Sequence, residues 1–516
     1  LTSISSGEGS EAIIPAAASL ALLAIVAAVL DETTPKTVSL ASSSSSIAEN
    51  SGSTITLTAT LSEPAGAAMT VSFLTSGAAT EGSDYSTIPN ITIAAGSTTG
   101  TASFTISDDA IYEGNEAAVV TISSISDAEF IKSGNDRVSI TITDNESAPT
   151  ISLASSSASI AENSGSTITL TATLSQIADE AVTVSFSTSG AAAEGSDYSA
   201  IPNITIAAGS TTGTASFTIS DDAIYEGNEV ATVAVSSVSG ADATENGSQS
   251  VSITVLENES APTVSLASSS ASIAENSASA ITLTATLSQI ADEAVTVSFS
   301  TSGVATSGTD YSSISNITIA VGSATGTTSF TPTNDAIYEG DEVATAAVSS
   351  VSGADATESG SQSVNITISE DDSAPTVSLA SSSASIAESS ASTITLTATL
   401  SIIADEAVTV TLSTSGAAVE GNDYAVISDI TIAAGSSTGT TTFTPIDNAV
   451  YESSKVATVA VSSVSGANAT ENGNQSVSIT LTEYENALTV TLSTSASSIQ
   501  EDASGTITLT ATLSEI

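Results

Sequence analysis

The sequence contains no cysteine, no histidine and no tryptophan, and only four bases, Lys36, Lys132, Arg137 and Lys455, among 516 residues. Without cysteine there is no disulfide and no thiol nucleophile, and without histidine the commonest general base and the usual zinc ligands are missing. Serine and threonine are abundant, yet a hydroxyl nucleophile needs a base to activate it. Carboxylate-only chemistry remains open in principle, but no catalytic constellation stands out and the chain reads as non-enzymatic. Against the 4 bases stand 57 acids, giving a formal charge of −53. Nucleic acid and anionic membrane surfaces are poor partners, because binding them needs basic patches. Salt bridges cannot neutralise these carboxylates; protons or metal cations must.

What is present is a period. The stretch "STITLTATLS" (53–62) alternates strictly, with Ile55, Leu57, Ala59 and Leu61 on one face and threonines on the other. That is the signature of a half-buried strand, and it argues against the disorder that high charge and a Ser/Thr/Ala bias would otherwise suggest.

The chain also repeats itself. "TVSLASSSSSIAEN" starts at Thr37, with close copies at Thr150, Thr263, Thr376 and Thr489, each step being 113 residues. A unit of this length is a whole domain. The organisation read from it is a segment 1–36, four repeats (37–149, 150–262, 263–375 and 376–488) and a partial fifth at 489–516. Inside repeat two, seven alternating runs separated by turn residues predict an all-β fold, a seven-stranded antiparallel immunoglobulin-like sandwich. Phe73, Phe186, Phe299 and Leu412 form one core series, and Phe104, Phe217, Phe330 and Phe443 another. Between repeats one and two only Ser147, Ala148 and Pro149 intervene, and prolines recur at Pro262 and Pro375. Such short connections predict a stiff row of domains.

Acids recur at fixed places. Glu49, Glu162, Glu275, Glu388 and Glu501 follow the first strand, and Asp84, Asp197, Asp310 and Asp423 each precede a tyrosine. "SDDAIYEGNE" (107–116) recurs as "SDDAIYEGNE", "TNDAIYEGDE" and "IDNAVYESSK", and each repeat closes on an acidic run, "TDNE", "LENE", "SEDD" or "TEYE". A sandwich could gather these segments at one pole.

In this combination the sequence resembles the Calx-beta domain, known from sodium–calcium exchangers, an integrin and many bacterial surface proteins. The resemblance covers residues 37–487 as four copies, plus the partial fifth. It implies a seven-stranded sandwich that binds Ca2+ through loops at one end. Carried over position by position, it implies as ligands Glu49, Asp84, Asp108, Asp109, Ile111 (by its carbonyl), Glu113, Asp144 and Glu146 in repeat one, with Asn145 beside them. In repeat two it implies Glu162, Asp197, Asp221, Asp222, Glu226, Glu257 and Glu259. The corresponding residues are Glu275, Asp310, Asp335, Glu339, Glu370 and Asp372 in repeat three, and Glu388, Asp423, Asp447 and Glu452 in repeat four. The donor set agrees with calcium chemistry, which takes six to eight oxygens; solvated acidic turns are the plainer alternative. Asn334 stands for Asp108 in repeat three. Repeat four has Asn448 for Asp109, Lys455 for Glu116 and Tyr484 for Asn145. An ammonium beside a divalent ion opposes binding, so repeat four is expected to bind worst.

The two ends are distinct. "IIPAAASLALLAIVAAVL" (13–30) is the one long apolar run, about 27 Å as a helix and just short of a bilayer core. It reads as an N-terminal hydrophobic helix that packs against copies of itself, anchors in a membrane, or lies on the first sandwich. Residues 489–516 hold only the first two strands of a fifth sandwich, so they either continue or complete another subunit's sheet by strand addition. The expected role is a structural, calcium-binding component of an extracellular or cell-surface fibre that associates with copies of itself. The alternative is the stalk of an adhesin whose tip lies outside this chain. Sequons at Asn90, Asn203 and Asn316 leave glycosylation open.

Overall fold

Threonine and serine alternating with Ile, Leu, Val and Ala favour pleated, half-buried strands, because branched side chains pack well on one sheet face. The computed structural model, which describes residues 34–448 and 450–514, forms strands at each such run. In repeat one these are β1 (Lys36–Ser42), β2 (Ser46–Ala48), β3 (Thr54–Leu61), β4 (Met69–Gly77), β5 (Ile91–Ile93), β6 (Thr99–Thr105), β7 (Glu116–Ile125), β8 (Phe130–Lys132) and β9 (Arg137–Thr143). One sheet has the order β6-β3-β1-β8 and the other β2-β9-β7-β4-β5.

The expected antiparallel seven-stranded sandwich is therefore corrected to nine strands with two parallel edge pairings. β1 runs parallel to β8, with Thr37 opposite Ile131, and β2 runs parallel to β9, with Ile47 opposite Ile142. The cause is the serine run 42–46. The Ser42 hydroxyl donates to the Ser44 carbonyl at 2.7 Å, bending the first strand so that its two halves join opposite sheets.

Between the sheets lies the core. Ile55, Leu57, Ala59 and Leu61 of β3 are buried as their alternation requires, against Val71, Ile91, Ile93, Val120 and Ile140. Burying each such aliphatic side chain stabilises the fold by about 1.5–3 kcal/mol. Phe104 meets Tyr85 edge-on at 5.6 Å, and Phe73 packs half-buried at the margin beside a β-bulge at Ser72/Phe73.

The chain divides into two compact units. The first runs to Asp222 and takes in Asn228–Asn258; the second holds Ala223–Gly227 and the residues from Glu259 onward. Repeat two, in the first unit, reproduces the order of repeat one from Thr150–Ser155 to Ser250–Leu256. In the second unit the sandwiches run from Thr263–Ser268 to Ser363–Ser369 and from Thr376–Ser381 to Ser476–Thr482. The partial repeat is a two-stranded hairpin, Val490–Thr494 against Leu509–Leu513, with Val490 opposite Leu513 and its apolar side chains exposed. Among the described residues no helix is long and apolar enough to cross a membrane. The helix expected at 13–30 lies outside the described residues.

Candidate metal centre and domain junction

Four separate segments of repeat one bring carboxylates to one pole. Glu49 opens a 3-10 turn (Glu49–Ser51) just after β2 and is buried. Asp84, also buried, lies in the loop between β4 and β5, where its carboxylate accepts the Thr80 amide. The loop between β6 and β7 carries Asp108, Asp109 and Glu113, Glu116 opens β7, and the exit of β9 carries Asp144 and Glu146.

Backbone amides wire these segments together. Asp109 donates its amide to Glu49 Oε1 at 3.2 Å, and Ile111 donates to Asp109 Oδ1 at 2.7 Å. Asp144 accepts from the amides of Glu113 (2.8 Å), Gly114 (2.7 Å) and Glu146 (2.7 Å). Gly114 takes φ +73°, a left-handed turn that aims its amide at Asp144.

Two triads result, Glu49–Asp144–Glu146 and Asp84–Glu113–Glu116, each with one oxygen per residue within 4.8 Å of the others. Oxygens at that spacing can share one ion at the 2.3–2.6 Å distances calcium prefers. The electrostatics point the same way. Burial first, then Asp84, Asp109 and other acids, push the Glu113 carboxyl up to about 7. Burial and the shared hydrogen bond with Asp84 do the same to Glu116, and burial with Asp144 to Glu146. Asp144 moves the opposite way: burial would raise it, but the Glu146, Glu113 and Gly114 amides more than offset that. Asp108 and Asp109 are more exposed, and Ile111 is half-buried.

The other repeats rebuild the pole with graded changes. In repeat two Glu162 and Asp197 are buried, the Asp222 amide donates to Glu162 at 3.4 Å, Glu257 is half-buried and Asp221 is exposed. Glu226 and Glu259 are half-buried in the second unit. In repeat three Glu275 gathers with Glu370 and Asp371, while Asp372 donates its amide to Glu370 at 2.8 Å. Asp335 donates its amide to Glu275 at 3.0 Å, and Glu339 donates its amide to Glu370 at 2.6 Å; Asp310 is buried. In repeat four Glu388, Asp423, Glu452 and Glu483 line one cavity with Lys455, and Asp447 is exposed. The Lys455 ammonium lies 2.8 Å from Asp423 and also contacts Glu452. Burial would raise the Asp423 carboxyl, but the Lys455 hydrogen bond and the Val419 amide hold it below the ordinary range.

Three features lie outside the expected ligand set. Glu116 belongs with Asp84 and Glu113, a place its spacing in "YEGNE" would have marked. The tyrosine of the same motif leaves its own domain. Tyr112 is buried in the core of repeat two, where its amide donates to Ile177 (2.9 Å) and its hydroxyl to Asp242 (2.9 Å). In the second unit Tyr338 sits in the core of repeat four, its hydroxyl accepting from Asn468 at 2.9 Å, and Tyr225 donates to Asp355 at 3.0 Å.

The third feature is the turn that receives the tyrosine. Ala241 and Asp242 hold φ of 50° and 46°, and Ala354/Asp355 and Ala467/Asn468 do likewise. Two consecutive non-glycine residues in this region are strained and persist only where neighbours impose the conformation. Glu180, Glu293 and Glu406 supply that constraint by accepting the amides of Ala241, Ala354 and Ala467 at 3.2, 3.0 and 3.2 Å. Beside Glu180, Asp179 donates its amide back to the Tyr112 carbonyl at 3.2 Å.

The fold and the site define a class: tandem β-sandwich repeats, each gathering carboxylates at one pole. The Calx-beta domain family matches residues 144–259, 257–372 and 370–485, and the chain belongs to it. The LapA domain family matches residues 31–145, so the first repeat is the divergent copy. It differs in two stretches: "SDAEFIKSGNDR" (126–137) replaces the "SGADATENGSQS" of repeat two, and "EPAGAAM" (63–69) replaces its "QIADEAV". Among solved structures, the chain is similar to CBD12 from CALX1.2, at 14% identity over 42% of this chain and 99% of that one, with a TM-score of 0.20. It is similar to invasin, a bacterial integrin-binding protein, at 15% identity over 89% and 82%, with a TM-score of 0.22. Adhesin InvE of Yersinia pseudotuberculosis matches at 16% identity over 55% and 66%, with a TM-score of 0.22. No curated protein matches the chain.

Proposed function

We propose that this chain is a structural component of an extracellular or cell-surface fibre, in which calcium at each acidic pole stiffens the junction to the next sandwich. One observation carries the reading: the loop that gathers the carboxylates, Asp109 to Glu116, also carries Tyr112 into the following domain. Order at the ion site and order at the junction are therefore the same order.

The donor set fits. It is all oxygen, rich in carboxylates and supplied with almost no bases, which suits a hard cation taking six to eight ligands. Glu49, Asp144 and Glu146 would hold one ion, and Asp84, Glu113 and Glu116 another. A bound ion supplies positive charge that the carboxylates share. The protein's part is to hold Glu49 on its turn, fix Asp144 by three amides and keep the loop closed. Millimolar calcium outside cells matches weak, acid-rich sites, and the reading includes no catalytic step. Self-association through residues 13–30 or the hairpin 490–513 would build the fibre.

Calorimetric titration of the whole chain with calcium, repeated with magnesium at equal ionic strength, tests the reading. Saturable calcium binding that magnesium does not reproduce is expected. Heats that are identical for the two ions, or absent, would overturn it.

A further inference from the structure

The second triad reaches beyond its own domain. In the second unit the strand Ile337–Tyr338 pairs in parallel with Ile403–Ala404 of the next repeat, and the Asp405 amide donates to the Tyr338 carbonyl at 3.2 Å. Asp405 is thereby fixed beside Glu339, the residue after Tyr338. The Asp179 amide makes the same bond to Tyr112, next to Glu113. We propose that these positions are inter-repeat cation sites: Asp179 completes the one formed by Asp84, Glu113 and Glu116, and Asp405 the one formed by Asp310, Glu339 and Glu342.

Two independent observations point to a cation there. Glu342 is 9% exposed, and its buried Oε2 has no hydrogen-bond partner. An oxygen kept from both water and donors is costly unless a positive charge meets it. Repeat four supplies the second. Lys455 occupies the place of Glu116 and Glu342, and its ammonium lies against Asp423 and Glu452, the counterparts of Asp84 and Glu113. There the protein provides its own cation at the position where the other repeats present a third carboxylate.

The sequence pairs the two halves of the site. Asp179, Asp292 and Asp405 occur in repeats that follow another copy, whereas repeat one, which follows residues 1–36 and no copy, has Gly66 at that place.

This inference rests on the calcium reading above, and the test separates the two. The full-length chain carrying Asp179→Asn and Asp405→Asn is titrated with calcium beside the parent, with Asp179→Glu and Asp405→Glu as variants that keep the charge. The asparagine pair should weaken two of the sites about tenfold or more, because affinity follows ligand charge and position. The glutamate pair should fall between it and the parent. Lys455→Glu should add one weaker site. If the parent binds calcium and the asparagine and glutamate pairs both match it, the shared site is wrong while the calcium reading stands. If Lys455→Glu gains no binding, the lysine does not mark a cation position. If the parent binds nothing, the calcium reading itself fails.

Discussion

The Tyr112 hydroxyl donates to the Asp242 carboxylate at 2.9 Å, joining residues 130 positions apart in consecutive domains. Tyr112 leaves the acidic loop of one sandwich and ends in the core of the next. Asp242, in turn, sits on a strained turn held by Glu180. The junction is thus a seated side chain rather than a bare linker.

Truncating that side chain should be costly. Tyr112→Ala is expected to destabilise repeat two by about 3 kcal/mol, the order seen for buried aromatics. Tyr112→Phe keeps the ring and should cost only about 1–2 kcal/mol, for the lost bond to a charged acceptor. Denaturant unfolding of the parent and both variants checks the order; equal, negligible losses would show that the ring is not seated.

Stability should depend on pH in a way that calcium reverses. Glu113, Glu116, Glu146, Glu339 and Glu342 are raised from 4.5 to about 7 in the folded chain, so between those values the folded state holds more protons than the unfolded one. Calcium-free protein should therefore lose stability as pH rises from about 4.5 through about 7 and regain it on acidification. With calcium bound the ionised forms are favoured, and acidification should weaken both binding and stability. Melting temperatures between pH 5 and 8, in chelator and in calcium, should slope in opposite directions.

Gly77 closes β4 against the strand that begins with Glu116. A Cβ there would lie 1.9 Å from the Ala117 carbonyl oxygen, on a backbone with φ of +118°. Gly77→Ala is expected to cost about 2–4 kcal/mol from backbone strain and overpacking together. It should also weaken calcium binding by displacing Glu116. Thermal melts and calcium titration of the variant measure both; an unchanged midpoint would mean the strand can shift freely.

Much of the fold was legible because β3 announces itself: Ile55, Leu57, Ala59 and Leu61 repeat at the period of a strand, and their burial follows. β2 and β8 were not legible, since three residues carry no period and their parallel pairing is decided by the opposite sheet edge. The recurring acids marked Glu49, Asp84 and Asp144, because each copy repeats them. Tyr112 stayed hidden inside an acidic motif, where an aromatic reads as the domain's own core and its target lies one repeat away. Asp179 stayed hidden for the same reason, as the carbonyl its amide meets belongs to the preceding repeat. Lys455 stood out in the sequence as a base among acids, and its ammonium lies against Asp423.

Amide hydrogen exchange at the first junction tests the coupling of calcium to domain order most directly. The Tyr112 amide donates to Ile177 and the Asp179 amide to Tyr112, so both report the junction alone. In calcium these two amides should exchange slowly. In chelator at equal ionic strength they should exchange much faster, while the β3 amides of Leu57 and Ala59 stay protected. Equal exchange at Tyr112 and Asp179 with and without calcium would contradict the account.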